Sequence, residues 1–429
     1  MRMEPGSAER SLLIYGVIFG IACVIYLVVI AVLNIDTEVS IHRFADAERV
    51  FSGGSLATEY PPLALIITLI PRLFASSPFG YNVMFVAEMF VFFMIGLFFT
   101  GKLAERYGKD SGRCMLAYTV LMLMMIEFVL DRFDIVPAVL TLVSVYCYVS
   151  RKYAWAFTLL AVGAMIKLYP AILFPIFIIP LIAARDWKAT VRGTVVFAAV
   201  SLAVIIPVLI FQPDMLSGFV EYQTDRPLHV ESVLASLIFP FAFAGLTEVW
   251  TEFGSSLSDN LRGAWPDALA PLLTPLMIVS IVILYIVFIH VVKKTKGRTD
   301  DCRTHLFAVV MLLSLMLFMM VGKVFSAQYL IWLIPPAIFV LMTVDPKSER
   351  VLFILLIAAM ATTQMEFAYN VGYLGGGAAI NDLGMTMILV RNIILIVLFF
   401  ILARDVYYRS AASEDVSLAD GGSISGPGC

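Results

Sequence analysis

The chain has 429 residues, of which 61% are hydrophobic and 14% charged, with a net charge of −3 and a mean hydropathy of +0.94. A soluble protein carries roughly 25% charged residues, so a soluble fold is excluded, and the long uncharged apolar runs between Ser11 and Ala403 mark a polytopic membrane protein. The small net charge gives no footprint for nucleic acid, and five cysteines without CxxC spacing and four histidines without HExxH lead us to expect no disulfide, no cysteine-based metal site and no zinc hydrolase.

The first run, 11–33, is too long for a signal-peptide core, has no small-residue cleavage site behind it, and reads as a retained helix. Further full spans are expected at 80–101, 114–130, 135–150, 153–168, 170–184, 190–211, 268–292, 305–321, 327–343, 351–368 and 384–403. Two other apolar runs, 61–75 and 233–247, are short, and the basic residues decide their placement. If neither crosses, 20 of the 29 Lys and Arg fall on one side, as the positive-inside rule requires. If both cross, Lys102, Arg106, Lys109 and Arg113 lie on the far side from the N-terminus. The expectation is an all-α polytopic membrane protein with about 12 transmembrane helices, both termini cytoplasmic, and two half-inserted or interfacial helices on the outer face. Residues 1–409 are expected to form one integral-membrane domain with outer loops at 34–79 and 212–267. Residues 410–429, polar and rich in small residues, are expected to be a disordered cytoplasmic tail.

The unusual chemistry lies in the outer loops. Loop 34–60 reads NIDTEVSIHRFADAERVFSGGSLATEY, and its residues 39–51 are amphipathic enough for a helix along the interface. Asp36 follows the first span directly. It either ends that helix in solvent or sits at the lipid–water boundary, where a carboxylate can take a proton from a hydroxyl. In EYPPLALII, Pro61 and Pro62 suit a first helical turn and Tyr60 is kept extended by the proline after it. Glu59 either favours the helix start or lines the cavity behind Asp36. In DRFD, 131–134, Arg132 can pair with either aspartate, Asp131 reads as hairpin structure, and Asp134 opens the next helix as a cap. Lys167 precedes Leu168-Tyr169-Pro170. It either snorkels to the headgroups or, where Pro170 breaks the helix, presents a fixed cation to a lipid phosphate.

The segment YQTDRPLHVES, 222–232, reads either as a solvated loop or as a site that brings together Arg226, suited to bidentate phosphate contact, His229, Glu231 and Ser232. GKVFSAQYLIW, 322–332, sets Lys323, Ser326, Gln328 and Tyr329 at a span end, with Trp332 read as an interface anchor. Glu88, Glu127, Glu366 and Arg391 fall within or near spans and are either functional or partners in an internal Glu–Arg pair.

Taken in order, a carboxylate after the first span, RFADAERVFSGGSLATEYPPL, IKLYP, DRPLHVES and FSAQYLIWLIP resemble the GT-C glycosyltransferases that use polyprenyl-phosphate sugars. The resemblance is greatest to the family-87 (DUF2029-type) mannosyltransferases, with features of the eukaryotic GPI mannosyltransferase I catalytic subunit, and covers residues 11 to 405. It implies a GT-C-like fold and an outer-face enzyme that moves a hexose, mannose first, from a polyprenyl-phosphate donor to a lipid-linked or glycan acceptor, with inversion. In that family a loop aspartate is the general base, and Asp36 matches it. Glu38 matches the second acidic position, and Glu59 joins it as an acceptor-side candidate. Lys167, Arg226 and His229 match positions that bind the donor phosphate. Gln328 and Tyr329 match the family's Ser-Gln-Tyr element. Asp134 falls where relatives carry a polar residue after Gly-Gln or Gly-Asn, which Arg132-Phe133 replace here. Tyr60, Asp134, Tyr169, Glu231, Ser232, Gln328 and Tyr329 are expected to line the site.

No GxGxxG precedes a strand–helix unit, in keeping with a lipid-linked donor rather than a nucleotide sugar. No cofactor and no metal site are expected, a divalent cation at Asp36 and Glu38 being the disfavoured alternative. The expected partners are the polyprenyl-phosphate sugar, a glycolipid or glycan acceptor and membrane lipid, and no nucleic acid. The lack of an Asn-x-Ser/Thr sequon and the short loops point to a prokaryotic plasma membrane. The competing readings are a flippase or transporter for a lipid-linked sugar and a non-catalytic assembly subunit. A transporter is expected to show internal repeats and polar groups at mid-membrane, whereas here the polar groups cluster at one face.

Overall fold

The computed structural model describes residues 7–54, 59–254, 258–295, 298–371 and 382–411. Those residues form seventeen α-helices and one two-stranded antiparallel hairpin, an all-α polytopic membrane protein with a single small β element. Among the described residues, seven helices are long and apolar enough to cross a membrane: Ala8–Leu33, Pro78–Arg106, Trp187–Phe211, Ala264–Lys294, Asp300–Val321, Lys347–Phe367 and Asp382–Ser410. Five more expected spans are shorter apolar helices, Ser111–Met124, Ile135–Val149, Tyr153–Ile166, Tyr169–Ala183 and Ala327–Leu341, each about 21–23 Å at a rise of roughly 1.5 Å per residue. Ala64–Phe74 and Val233–Phe243 have 11 residues each, about 16 Å and so about half a hydrocarbon core. Both short runs therefore end where their sequence ends them. Cys23, Cys114 and Cys147 are free thiols. Cys429 lies outside the described residues. Beyond Ala411 the tail lies outside the described residues.

The chain divides into two compact units. The first comprises Met1–Phe174, Val191–Arg226 and Ala327–Ile338. Within it, Pro78–Arg106 begins as its sequence dictates: Ser77 accepts the Gly80 N–H at 3.2 Å and Pro78 fills the first turn, where no backbone donor is lost. Ile135–Val149 and Tyr153–Ile166 form a tight helical pair. The chain reverses at Arg151, with φ +58°, while Lys152 N–H closes onto Cys147 O at 2.8 Å.

The EYPPL stretch opens its helix by a slightly different route from the expected one. Pro61, Pro62 and Leu63 make a tight turn in which Ala64 N–H reaches Pro61 O at 3.0 Å, and the α-helix begins at Ala64. Leu63 N–H is thereby free to bond Met165 O at 2.9 Å. That bond ties the start of the short helix to the last turn before Lys167.

The second unit comprises Pro175–Thr190, Pro227–Ser326 and Phe339–Cys429. Its core packs Leu228, Val230, Ile238, Phe239, Leu261 and Ile388 around the short helix Val233–Phe243. The hairpin pairs Trp250–Phe253 with Asp259–Arg262, and Leu261 N–H bonds Leu228 O at 2.8 Å, fastening the hairpin to the segment before that helix.

Candidate active site

Residues 34–51 build one wall. Helix Ala8–Leu33 ends at Asn34, which takes a φ of +50°. After residues 35–37, which belong to no regular element, the chain enters a π-helical turn, Val39–Arg43, which continues as the α-helix Phe44–Phe51. Val39, Arg43 and Ala47, four residues apart, make its buried face. Asp36 is exposed and makes no hydrogen bond or ion pair among the described residues. The residue after it is anchored, since the Thr37 hydroxyl donates to Asn82 Oδ1 at 3.1 Å.

Arg43 is the centre of this wall. Only 4% exposed, its guanidinium meets Glu38 at 2.8 Å, Glu59 at 3.1 Å and Asp46 at 3.3 Å, and stands 4.9 Å from the Tyr60 ring centre. A buried guanidinium needs its donors filled, and its planar fork can serve several carboxylates at once. Burial alone would raise the Glu38 carboxyl, but Arg132 and Arg43 together outweigh it and hold the pKa below the ordinary carboxylate value. At Asp46 burial prevails over Arg43 and Arg49, and its pKa rises. Glu59 therefore serves Arg43 and not the helix start, since that helix begins only at Ala64.

The loop 131–134 joins the walls: Asp131 and Arg132 both reach the segment at Glu38, Phe133 reaches Tyr60, and Asp134 reaches Lys167 and Trp332. Asp131 accepts the backbone N–H of Val39 at 3.1 Å and of Glu38 at 3.3 Å. Arg132 pairs with Asp131 at 2.8 Å and also with Glu38. The Phe133 ring meets Tyr60 edge-on, centroids 4.8 Å apart. Asp134 accepts from Lys167 at 2.7 Å and from the Trp332 indole at 2.6 Å, both on Oδ1. Its side chain makes no cap on its own helix, so the capping reading of Asp134 gives way to a tertiary one.

Lys167 is 7% exposed and so does not snorkel. Helix Tyr153–Ile166 ends at it in an extended conformation, and its ammonium stands 5.3–5.5 Å from the ring centres of Tyr60, Phe133, Tyr329 and Trp332, a favourable setting for a cation. Trp332 is sandwiched between Tyr329, at 3.8 Å, and Tyr169, at 4.3 Å. At 2% exposure it is a core residue and not the interface anchor that its place in the sequence suggested.

Of the remaining candidates, Arg226 lies in this first unit with its guanidinium 5.1 Å from the Tyr222 ring centre, and the Tyr222 hydroxyl bonds Glu59. Gln328 occupies the short turn Ala327–Tyr329 beside the aromatic stack. His229, Glu231 and Ser232 belong to the second unit. His229 is buried and gives its backbone N–H to Lys323 O at 2.9 Å. Ser232 caps Val233–Phe243 by accepting the Ala235 N–H. Glu231 receives the fully buried Arg391 at 2.7 Å on its carboxylate and at 2.6 Å on its carbonyl, so the carboxylate that meets Arg391 comes from the 222–232 segment and is none of the three span glutamates, Glu88, Glu127 and Glu366.

Sequence reasoning assigned no site role to Arg43, Arg132, Phe133 or Trp332. The signals were present: an arginine inside an acidic loop, and the Arg-Phe that replaces the family's Gly-polar pair. Among the described residues no group of three or more His, Cys, Asp or Glu is placed to hold a metal ion.

No curated protein matches this sequence. A family model does. That for glycosyltransferase family 87 matches residues 58–322, a stretch containing Lys167 and Arg226, beginning after Asp36 and Glu38 and ending before Gln328 and Tyr329. With well over half its length matched, the chain belongs to glycosyltransferase family 87 and is an integral-membrane glycosyltransferase.

Proposed function

We propose that the enzyme transfers a hexose, with mannose as the leading choice, from a polyprenyl-phosphate sugar to a lipid-linked or glycan acceptor on the extracytoplasmic face, with inversion. In this reading the acceptor hydroxyl attacks C1 of the sugar as the C1–O bond to phosphate breaks. The hydroxyl proton passes to the Asp36 carboxylate, polyprenyl phosphate departs, and the anomeric configuration inverts. General-base assistance of this kind is typically worth 10²–10⁴-fold. Lys167 and Arg226 receive the charge that builds on the departing phosphate. An ammonium has three N–H donors, and Asp134 takes one of those of Lys167.

The observation that carries the reading is that an exposed, unpaired carboxylate and a cation caged by aromatic rings belong to one packed unit. They are linked through contacts of Glu38, Arg43, Tyr60 and the 131–134 loop. The basic clusters of the sequence support the outer-face orientation.

The test is to incubate purified protein with polyprenyl-phosphate mannose or glucose and candidate lipid acceptors, comparing wild type with Asp36→Asn. The reading expects transfer by wild type and a loss of at least about 10²-fold in the variant with expression retained. Full transfer by Asp36→Asn would overturn it, and a wild type that moves lipid-linked sugar across the bilayer without transferring it would make the protein a flippase.

A further inference from the structure

We propose that Asp131 is the positioning residue of the transfer step, holding in place the short segment that carries Asp36. This rests on the reading of Asp36 as the base. A base on a free loop spends most of its time misdirected, and misplacement by about 1 Å can cost on the order of 10²-fold in rate. Asp36 has no side-chain partner of its own among the described residues, so its aim depends on its backbone. On the N-terminal side, Ile35 N–H is bonded to Ile30 O at 3.0 Å, closing the end of the first helix across Asn34. On the C-terminal side, the next donors are those of Thr37, Glu38 and Val39. Thr37 N–H goes to Ser40 Oγ at 2.9 Å. Glu38 N–H and Val39 N–H go to the two oxygens of Asp131, more than 90 positions away.

Asp131 thus satisfies the first donors of the Val39–Phe51 helix from another element, in place of the usual capping residue just before it. Arg132, which binds the same carboxylate and Glu38, closes the triangle. Two pinned points, Ile35 and Glu38, leave Asp36 and Thr37 as a two-residue arch, and the Thr37 hydroxyl is itself fixed to Asn82.

A plain helix cap would matter only to stability. Three variants and two readouts separate the roles. In detergent-purified protein, Asp131→Ala is expected to raise amide hydrogen exchange of the 34–43 stretch by about tenfold or more, with the 153–166 helix unchanged, a readout that requires no substrate. In the transfer assay it should lower kcat by about 10- to 100-fold, with the donor KM within about twofold. Asp131→Asn, which keeps one acceptor oxygen, should recover part of the rate. Thr37→Val, which cuts the independent anchor to Asn82, should reproduce the loss in kcat.

The proposal is overturned if exchange at 34–43 does not rise in Asp131→Ala, if Asp131→Ala and Thr37→Val keep the wild-type kcat whatever their melting temperatures, or if donor KM rises in step with the loss of kcat. Asp36→Asn measured in parallel isolates the underlying reading. If it keeps full activity, the assignment of the base fails and this proposal with it. If it is inactive while Asp131→Ala turns over normally, only the positioning role fails.

Discussion

The indole N–H of Trp332 is bonded to Asp134 at 2.6 Å, a contact between residues 198 positions apart in the chain. It brings the start of the fourth expected span and the GKVFSAQYLIW segment onto one carboxylate, which Lys167 shares. The lysine's cage is therefore held from three separate segments, and among the described residues Asp134 is the carboxylate that pairs with it.

Removing only that donor measures its worth. Trp332→Phe retains a ring between Tyr169 and Tyr329 but leaves Asp134 with Lys167 alone. A hydrogen bond to a charged group contributes roughly 1.5–3 kcal/mol, so unfolding in detergent should show a loss of at least about 1.5 kcal/mol. A variant as stable as wild type would mean that the bond contributes nothing net.

The Lys167–Asp134 pair should behave as a unit. Lys167→Met leaves a buried carboxylate uncompensated, and Asp134→Asn leaves a buried ammonium. Breaking such a pair from one side costs about 3–5 kcal/mol. The double variant should be less destabilised than the sum of the two single ones, with a coupling of about 1–3 kcal/mol from a double-mutant cycle. Additive effects would show that the two charges do not depend on each other.

Arg391 and Glu231 make the same test in the second unit. Arg391 is fully buried, its guanidinium also lies 4.3 Å from the Phe325 ring centre, and Asn392 adds bonds to Glu231 O, Ser232 O and Ser236 Oγ. This cluster fastens Asp382–Ala411 to the start of Val233–Phe243. Arg391→Gln should destabilise by about 3–5 kcal/mol, read from unfolding of the purified protein. A variant with wild-type stability but no transfer would assign the pair to chemistry instead.

Acid should expose the contribution of Glu38. Its folded pKa is lowered by Arg132 and Arg43 against the pull of burial. A group of this kind adds stability above its unfolded pKa, about 4.3 for a glutamate, and loses it as pH falls through the lower folded value. The melting-temperature gap between wild type and Glu38→Gln should be constant from neutrality to about pH 5 and shrink below about pH 4. A gap that widens in acid would reverse the sign and refute the assignment.

Much of the fold is legible in the residues themselves because lipid allows few solutions. A backbone in hydrocarbon must satisfy its own hydrogen bonds, so every long apolar run becomes a helix, and the two runs of 61–75 and 233–247 that are too short to span become 11-residue helices. Asp36 can be picked out because it follows the first run immediately, and Lys167 because Pro170 breaks the helix beside it. Arg43 and Trp332 could not be found in the same way. Arg43 is one more arginine in a charged loop until Glu38, Glu59 and Asp46 converge on it. Trp332 looks like any aromatic residue at a membrane interface until Tyr169 and Tyr329 enclose it.

The linear chain alone thus determined the class of protein, the positions of its helices and the identity of most candidate groups, since those follow from local hydrophobicity, helix breaking and charge. Only the tertiary structure decided which charge meets which. Ion pairing inside a low-dielectric protein depends on distances of a few ångströms between residues that can be 198 positions apart, and no local pattern encodes those distances.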